Sequence, residues 1–120
     1  MQLIADLFLP LLMLFHLVGP VPGDLGVHNG QLSPCPSPAH CASRSWNPAD
    51  PQAGFETLAE AAADLPRSVV VERDDGYLHT QVSSALFGFV DDLELLRLKE
   101  GKGVQARSIS RLGDSDLGVN

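Results

Sequence analysis

Basic residues are scarce in this chain: eight lysines and arginines stand against fifteen aspartates and glutamates, a net charge of -7. No run of Lys or Arg overrides that balance, and there is no basic helix, RNP-like aromatic motif or Cys/His finger spacing. A phosphate backbone needs a basic face, so nucleic acid is excluded as the expected partner. A long apolar run is also missing. The best one, residues 7–18 (LFLPLLMLFHLV), is interrupted by Pro10 and His16 and falls short of the about 20 residues a bilayer-spanning helix needs. There is no G-x-S-x-G step, so nothing sets a serine on a nucleophile elbow. The two cysteines, separated by five residues and with one neighbouring histidine, lack the ligand count and spacing of an ordinary zinc site.

What is present divides the chain into three parts. Residues 1–22 form an apolar leader whose length suits the core of an export signal, or an uncleaved anchor, although its first residues carry Asp6 and no Lys or Arg. The expected location is therefore exported or membrane-anchored, with this segment as the means of membrane association. Residues 23–50 make a Pro-rich arm. Proline at this density excludes helix and central strand, and the arm reads as a tether or a wrapping segment in which Trp46 seeks a surface. Cys35 and Cys41 enclose five residues of it. In an exported chain such a pair reads as a small-loop disulfide; free thiols, or a metal site shared with His40, are the alternatives.

Residues 51–120 carry the pattern of an α+β domain: a small antiparallel sheet of about four strands in two hairpins, with one covering helix. Asp50 and Pro51 supply an N-cap and a first-turn proline. Phe55, Leu58, Ala59, Ala62 and Leu65 then form one apolar stripe, and Pro66 ends it. Asp75-Gly76 is a two-residue turn signal between SVVVE and YLHTQVS, which sets Glu72 opposite His79, Val71 opposite Thr80 and Val69 opposite Val82. A second hairpin turns at residues 101–103, with Phe87 and Phe89 assigned to the core. Centring that turn on Gly101 sets Asp91 opposite Arg111 and Leu93 opposite Ile109. Asp92 and Glu94 then share a face with Ser108 and Ser110.

This hairpin and the tail hold the candidate binding face: Asp91, Asp92, Glu94, Arg107, Ser108, Ser110, Arg111 and Asp116. Several chemistries compete for it. The carboxylates, with Asp114, suggest a hard cation, but DSDLG breaks off before an EF-hand glutamate. Ser108 or Ser110 with His79 and an aspartate could compose a triad, yet RSISR is strand-like and the bland reading is hydrogen-bond partners and ion pairs. No catalytic residue, metal or cofactor is assigned. The expectation is a non-enzymatic binding or interaction module outside the cytoplasm. The alternative is a hydrolase or metal-assisted enzyme using Asp92, Glu94, Arg107 and Arg111, and a third reading treats the set as ion pairs that fix hairpin register.

Three blocks carry a family resemblance: LGVHNGQLSPCPSPAHCAS (residues 25–43), YLHTQVSSALFGFVDDLELL (77–96) and RSISRLGDSDLGVN (107–120). Together they resemble the domain-of-unknown-function family 1499, small proteins of bacteria and plastids. The resemblance implies fold and an N-terminal export or membrane segment, and no activity. Two departures stand out. Arg44-Ser45-Trp46 replaces a serine-rich step, and members continue past the Gly118-Val119-Asn120 block with an Arg-containing helical segment that would help cover the sheet. This sequence stops at Asn120, so the expectation is a naturally short or truncated domain lacking that helix. Because the leader is short and lacks basic flanks, a chain starting near Asp24 is expected to stay soluble. Comparing soluble yields of the two forms checks this, and inclusion bodies from the shortened form alone would count against it.

Overall fold

A computed structural model describes residues 19–84 and 89–111. The leader at residues 1–18, Phe87, and the tail with Asp114 and Asp116 lie outside the described residues. The element order is β1 (Val27–His28), β2 (Gln31–Leu32), β3 (Cys41–Trp46), α1 (Pro51–Ala63), β4 (Ser68–Arg73), β5 (Tyr77–Ser83), β6 (Val90–Arg97) and β7 (Val104–Ser110). β1 and β2 make a two-stranded ribbon, and the other five form one antiparallel sheet in the order β3-β7-β6-β5-β4. The fold is α+β as expected, but with five strands in the main sheet and strands in the arm.

The arm departs from its irregular reading for two local reasons. Asn29 and Gly30 both take positive φ, 54° and 77°, between Val27 paired with Leu32 and His28 with Gln31. Asn-Gly is the pair that such a tight hairpin turn prefers, since both central residues must enter the left-handed region. Further on, residues 39–47 are free of proline, and Cys41–Trp46 uses that window to become an edge strand on β7. Proline density excludes strand only where the prolines actually fall.

Helix α1 starts as its sequence dictates: the Asp50 carboxylate accepts a hydrogen bond from the Ala53 N–H at 3.1 Å, with Pro51 in the first turn. Phe55, Ala59 and Ala62 are buried against Leu78, Leu95 and Val104, with Leu58, Leu93 and Ala106 packed around them. Leu65, the last residue of the expected stripe, lies past the helix end and is 44 % exposed.

Both hairpin registers differ from expectation. In β4–β5 the turn pairs Glu72 with His79 as expected, but an irregularity between Val70 and Glu72 shifts the ladder, so that Val70 faces Thr80 and Val69 faces Gln81. Val71 is the extra residue of a bulge. In β6–β7 the closing contact is Leu98 N–H to Gly103 C=O at 2.8 Å, which makes a four-residue loop. Glu100 and Gly101 supply its positive φ values. The symmetry point falls between residues 100 and 101, not on Gly101, and the ladder moves by one. Asp91 therefore faces Ser110, Asp92 faces Ile109, Leu93 faces Ser108 and Glu94 faces Arg107. The expected Asp91–Arg111 pair does not form, and Ser108 and Ser110 share a face with Asp91, on the helix side. Gly103 is held to glycine by space as well, because a Cβ there would lie 2.2 Å from the Trp46 carbonyl oxygen.

The arm covers the other sheet face. Leu32 is buried with Tyr77 and Leu96, and Cys35 and Cys41 are joined by a disulfide across a separation of six residues. The bridge closes the arm onto the first residue of β3, opposite Ile109. Protein prepared from an oxidising compartment is expected to show no reactive thiol after denaturation. Two thiols per chain by titration would overturn this.

Candidate functional site

On the arm side of the sheet, alternation brings Tyr77 and His79 of β5, Asp92 and Glu94 of β6, and Gln105 and Arg107 of β7 onto one surface. These side chains would be an unusual lining for a core, and each is held by a specific partner. Glu94, with no exposed side-chain surface, takes two hydrogen bonds at Oε2, from the Tyr77 hydroxyl at 2.6 Å and from the Gly26 main-chain N–H at 2.7 Å. Its Oε1 lies 3.4 Å from Arg107 Nε, an ionic contact outside hydrogen-bond geometry. The Arg107 guanidinium, also fully buried, donates to both Asp24 oxygens, at 2.9 Å from Nη1 and 2.7 Å from Nη2. Nη1 reaches the Pro34 carbonyl at 3.2 Å as well. The Leu32 N–H donates to Gln105 Oε1 at 3.1 Å.

These contacts form a clasp. Each one runs from the sheet to the arm, or supports a residue that does. The Arg107 hydrogen bond holds the Asp24 carboxyl below the usual carboxylate range, against the opposing effect of burial. The same bond, with burial again opposing, raises Arg107. Burial first, and then the hydrogen bond to Glu94, pushes the Tyr77 phenol far above its ordinary range. Tyr77 is thus kept as a neutral donor to a buried anion.

A second group lies along the same face. The Asp92 carboxylate, fully buried, accepts from Arg111 Nε at 2.9 Å and Nη2 at 3.1 Å, and from His79 Nε2 at 2.7 Å. A carboxylate accepts only, so the His79 proton sits on Nε2 in this contact. The bidentate Arg111–Asp92 pair is what replaces the expected Asp91–Arg111 neighbour.

Of the candidate binding residues, the sheet thus gathers Asp92, Glu94, Arg107 and Arg111 on one face. It sends Asp91, Ser108 and Ser110 to the other, and Asp116 is outside the described residues. Asp24 and Tyr77 complete the clasp without having been singled out. Tyr77 was accessible by counting, since it lies two residues from His79 on the same strand. Asp24 was not, because nothing local in a Pro-rich arm says which sheet residue it reaches, 83 positions away. Among the described residues no cluster of three or more His, Cys, Asp or Glu is placed to hold a metal ion.

Beside the clasp the surface opens into a groove of about 290 Å³. Residues 31–34 of the arm form one wall, and Ser43, Ser45, Gln105 and Arg107 belong to the sheet beneath. Arg44 borders it, and among the described residues no carboxylate lines it.

The family model of a protein of unknown function, DUF1499, matches residues 30–120. The chain belongs to this family. The match takes in β2, the disulfide, the whole five-stranded sheet and every clasp residue except Asp24 and Gly26. No curated protein and no solved structure matches the chain.

The chain has a single tyrosine, so its ultraviolet absorbance reads the clasp directly. Because the folded phenol is raised, the unfolded chain loses its proton first, and stability falls as pH rises above about 10. Phenolate absorbance is expected to appear only as the fold melts. Glu94→Gln removes the anion that Tyr77 and Arg107 face, so it should cost about 3 kcal/mol and bring ionisation forward to a lower pH. A phenol that titrates near its ordinary value in the intact wild-type fold would contradict this geometry.

Proposed function

We propose that this protein is an extracytoplasmic, non-enzymatic binding module that uses the groove between its arm and β3 as the contact surface. The observation that carries the reading is how the charges are disposed. Asp92, Glu94 and Arg107 are buried and Arg111 is partly so, and all four are engaged with one another, with His79, Tyr77 and the arm. Groups fixed in this way hold a scaffold in place; a general acid, base or nucleophile must instead reach a substrate. The groove next to them is open, polar and preformed, with its arm wall tied down by the clasp and by the disulfide.

The disulfide also supports an oxidising location, as does the apolar leader, which offers a signal or an anchor. No helix among the described residues is long and apolar enough to cross a membrane, so membrane attachment rests in this reading on the leader.

Native mass spectrometry of the full chain, purified without denaturation from an oxidising compartment, tests the proposal. A retained small molecule or partner is expected, and Ser45→Trp, which fills the groove from an exposed strand position, should release it without changing the thermal midpoint. Turnover of an ester, peptide or phosphoester panel that is abolished by Asp92→Asn at unchanged stability would overturn the non-enzymatic reading.

A further inference from the structure

Among the described residues the main sheet has two open edges, β3 and β4, and they are not equivalent. β4 is bulged at Val71 and ends in Glu72 and Arg73, features that blunt an edge against further pairing. β3 is regular over all six pairs with β7, and from Ala42 to Trp46 every residue is exposed.

The direction of its free hydrogen-bonding groups follows from the ladder. Ser110 N–H donates to the His40 carbonyl at 2.9 Å, and His40 stands opposite Ser110 in this register, so that pair exchanges hydrogen bonds. Bonded and non-bonded pairs alternate along an antiparallel ladder. Ala42, Arg44 and Trp46 therefore bond inward to β7, while the N–H and C=O groups of Ser43 and Ser45 point outward, away from the sheet. The same two serines line the groove, and their small side chains leave room for a partner's.

Charge selects among possible occupants. In a chain of net charge -7 this groove is bordered, among the described residues, by two arginines and no carboxylate. Arg107 is neutralised within the clasp, but Arg44 is exposed and has no ion pair among the described residues. Alternation puts Arg44 on the helix side of β3, between the two outward-facing serines.

Resting on the binding reading above, we propose that β3 accepts an extended acidic peptide segment of a partner as a sixth strand. Its main chain bonds Ser43 and Ser45. Two of its side chains, one on each side of a central residue, enter the groove beside Leu32 and Pro34. The central residue between them is a glutamate or aspartate paired across the strands with Arg44.

The test uses the full chain, isotopically labelled for amide NMR, and an acetylated, amidated peptide Thr-Val-Glu-Val-Thr. Expected are shifts centred on the Ser43 and Ser45 amides, and affinity at least about fivefold above that of Thr-Val-Lys-Val-Thr. Arg44→Glu should reverse the preference. Ser43→Pro should abolish binding, since it removes an outward N–H and leaves the β7 ladder intact. A peptide N-methylated at its two valines, the residues that face Ser43 and Ser45, gives the same result with the protein unaltered, so the proposal survives a Ser43→Pro chain that fails to fold. Three outcomes overturn strand addition. One is no shift at Ser43 or Ser45 with millimolar peptide, and another is binding indifferent to N-methylation. The third is concentration-dependent broadening at β3 without peptide, which would make a second copy the occupant. An adduct lost on Ser45→Trp despite any of these would leave groove binding standing and remove only the strand.

Discussion

Everything on the arm side of the sheet depends on burying the Arg107 guanidinium away from the protein surface. A buried cation is tolerable only with anions and acceptors around it, and here they come from both directions: Glu94 from the neighbouring strand, Asp24 and the Pro34 carbonyl from the arm. The arm is therefore part of the solvation shell of a core residue. Lifting it would leave Arg107 with Glu94 alone, and would strip Glu94 of the Gly26 N–H. This explains how a segment contributing few large apolar groups can cover the central strands on one sheet face. Leu32 meets Tyr77 and Leu96, but the arm is located by ion pairing and hydrogen bonds.

Such an arrangement is better suited to specifying a structure than to stabilising it. Replacing a buried ion pair by well-packed apolar residues is often neutral or favourable, so the charges are not explained by stability alone. Register offers an explanation. If β6 slipped by one residue, Asp91, Leu93 and Leu95 would turn to the arm face, Arg107 would lose Glu94, Arg111 would lose Asp92, and the apolar layer under α1 would receive the carboxylates. The clasp and the Phe55 layer thus penalise the same error from opposite sides of the sheet. Ion pairs do form across this hairpin, with their members exchanged by one position from the expected set.

That exchange shows what the sequence made legible. Elements governed by local rules could be read directly: the Asp50 cap, the Phe55–Ala59–Ala62 stripe, the Asp75-Gly76 turn, the two hairpins. The partners across β6 and β7 could not, because they hang on whether the loop holds three residues or four, and the left-handed Glu100 that decides it carries no signal of its own. The Val71 bulge is equally silent, since three consecutive valines read the same with or without an extra residue. Two other features were legible but masked by composition. Asn29-Gly30 is a turn signal inside a segment that proline count alone declares irregular, and the window before Pro48 has room for a six-residue strand. Asp24 belongs to neither class: its role exists only once the arm has folded back.

The same logic makes the outer strand the exposed consequence of the clasp. Arg107 draws residues 33 and 34 onto the sheet, and the disulfide ties the next residue, Cys35, to Cys41 at the start of β3. Between these two fixtures the chain must leave the sheet surface and return as its edge. It returns with small side chains and a regular ladder, whereas the opposite edge is bulged and charged at its end. A sheet needing only to avoid association would blunt both edges. Here the edge held in place by the buried ion pair and the disulfide is the one left regular, and among the described residues no carboxylate lines the groove it borders, in a chain where acidic residues outnumber basic ones almost two to one. Rigid support behind an open strand lowers the ordering cost of adding another one, so under the proposed strand addition the clasp would serve binding as well as holding the arm.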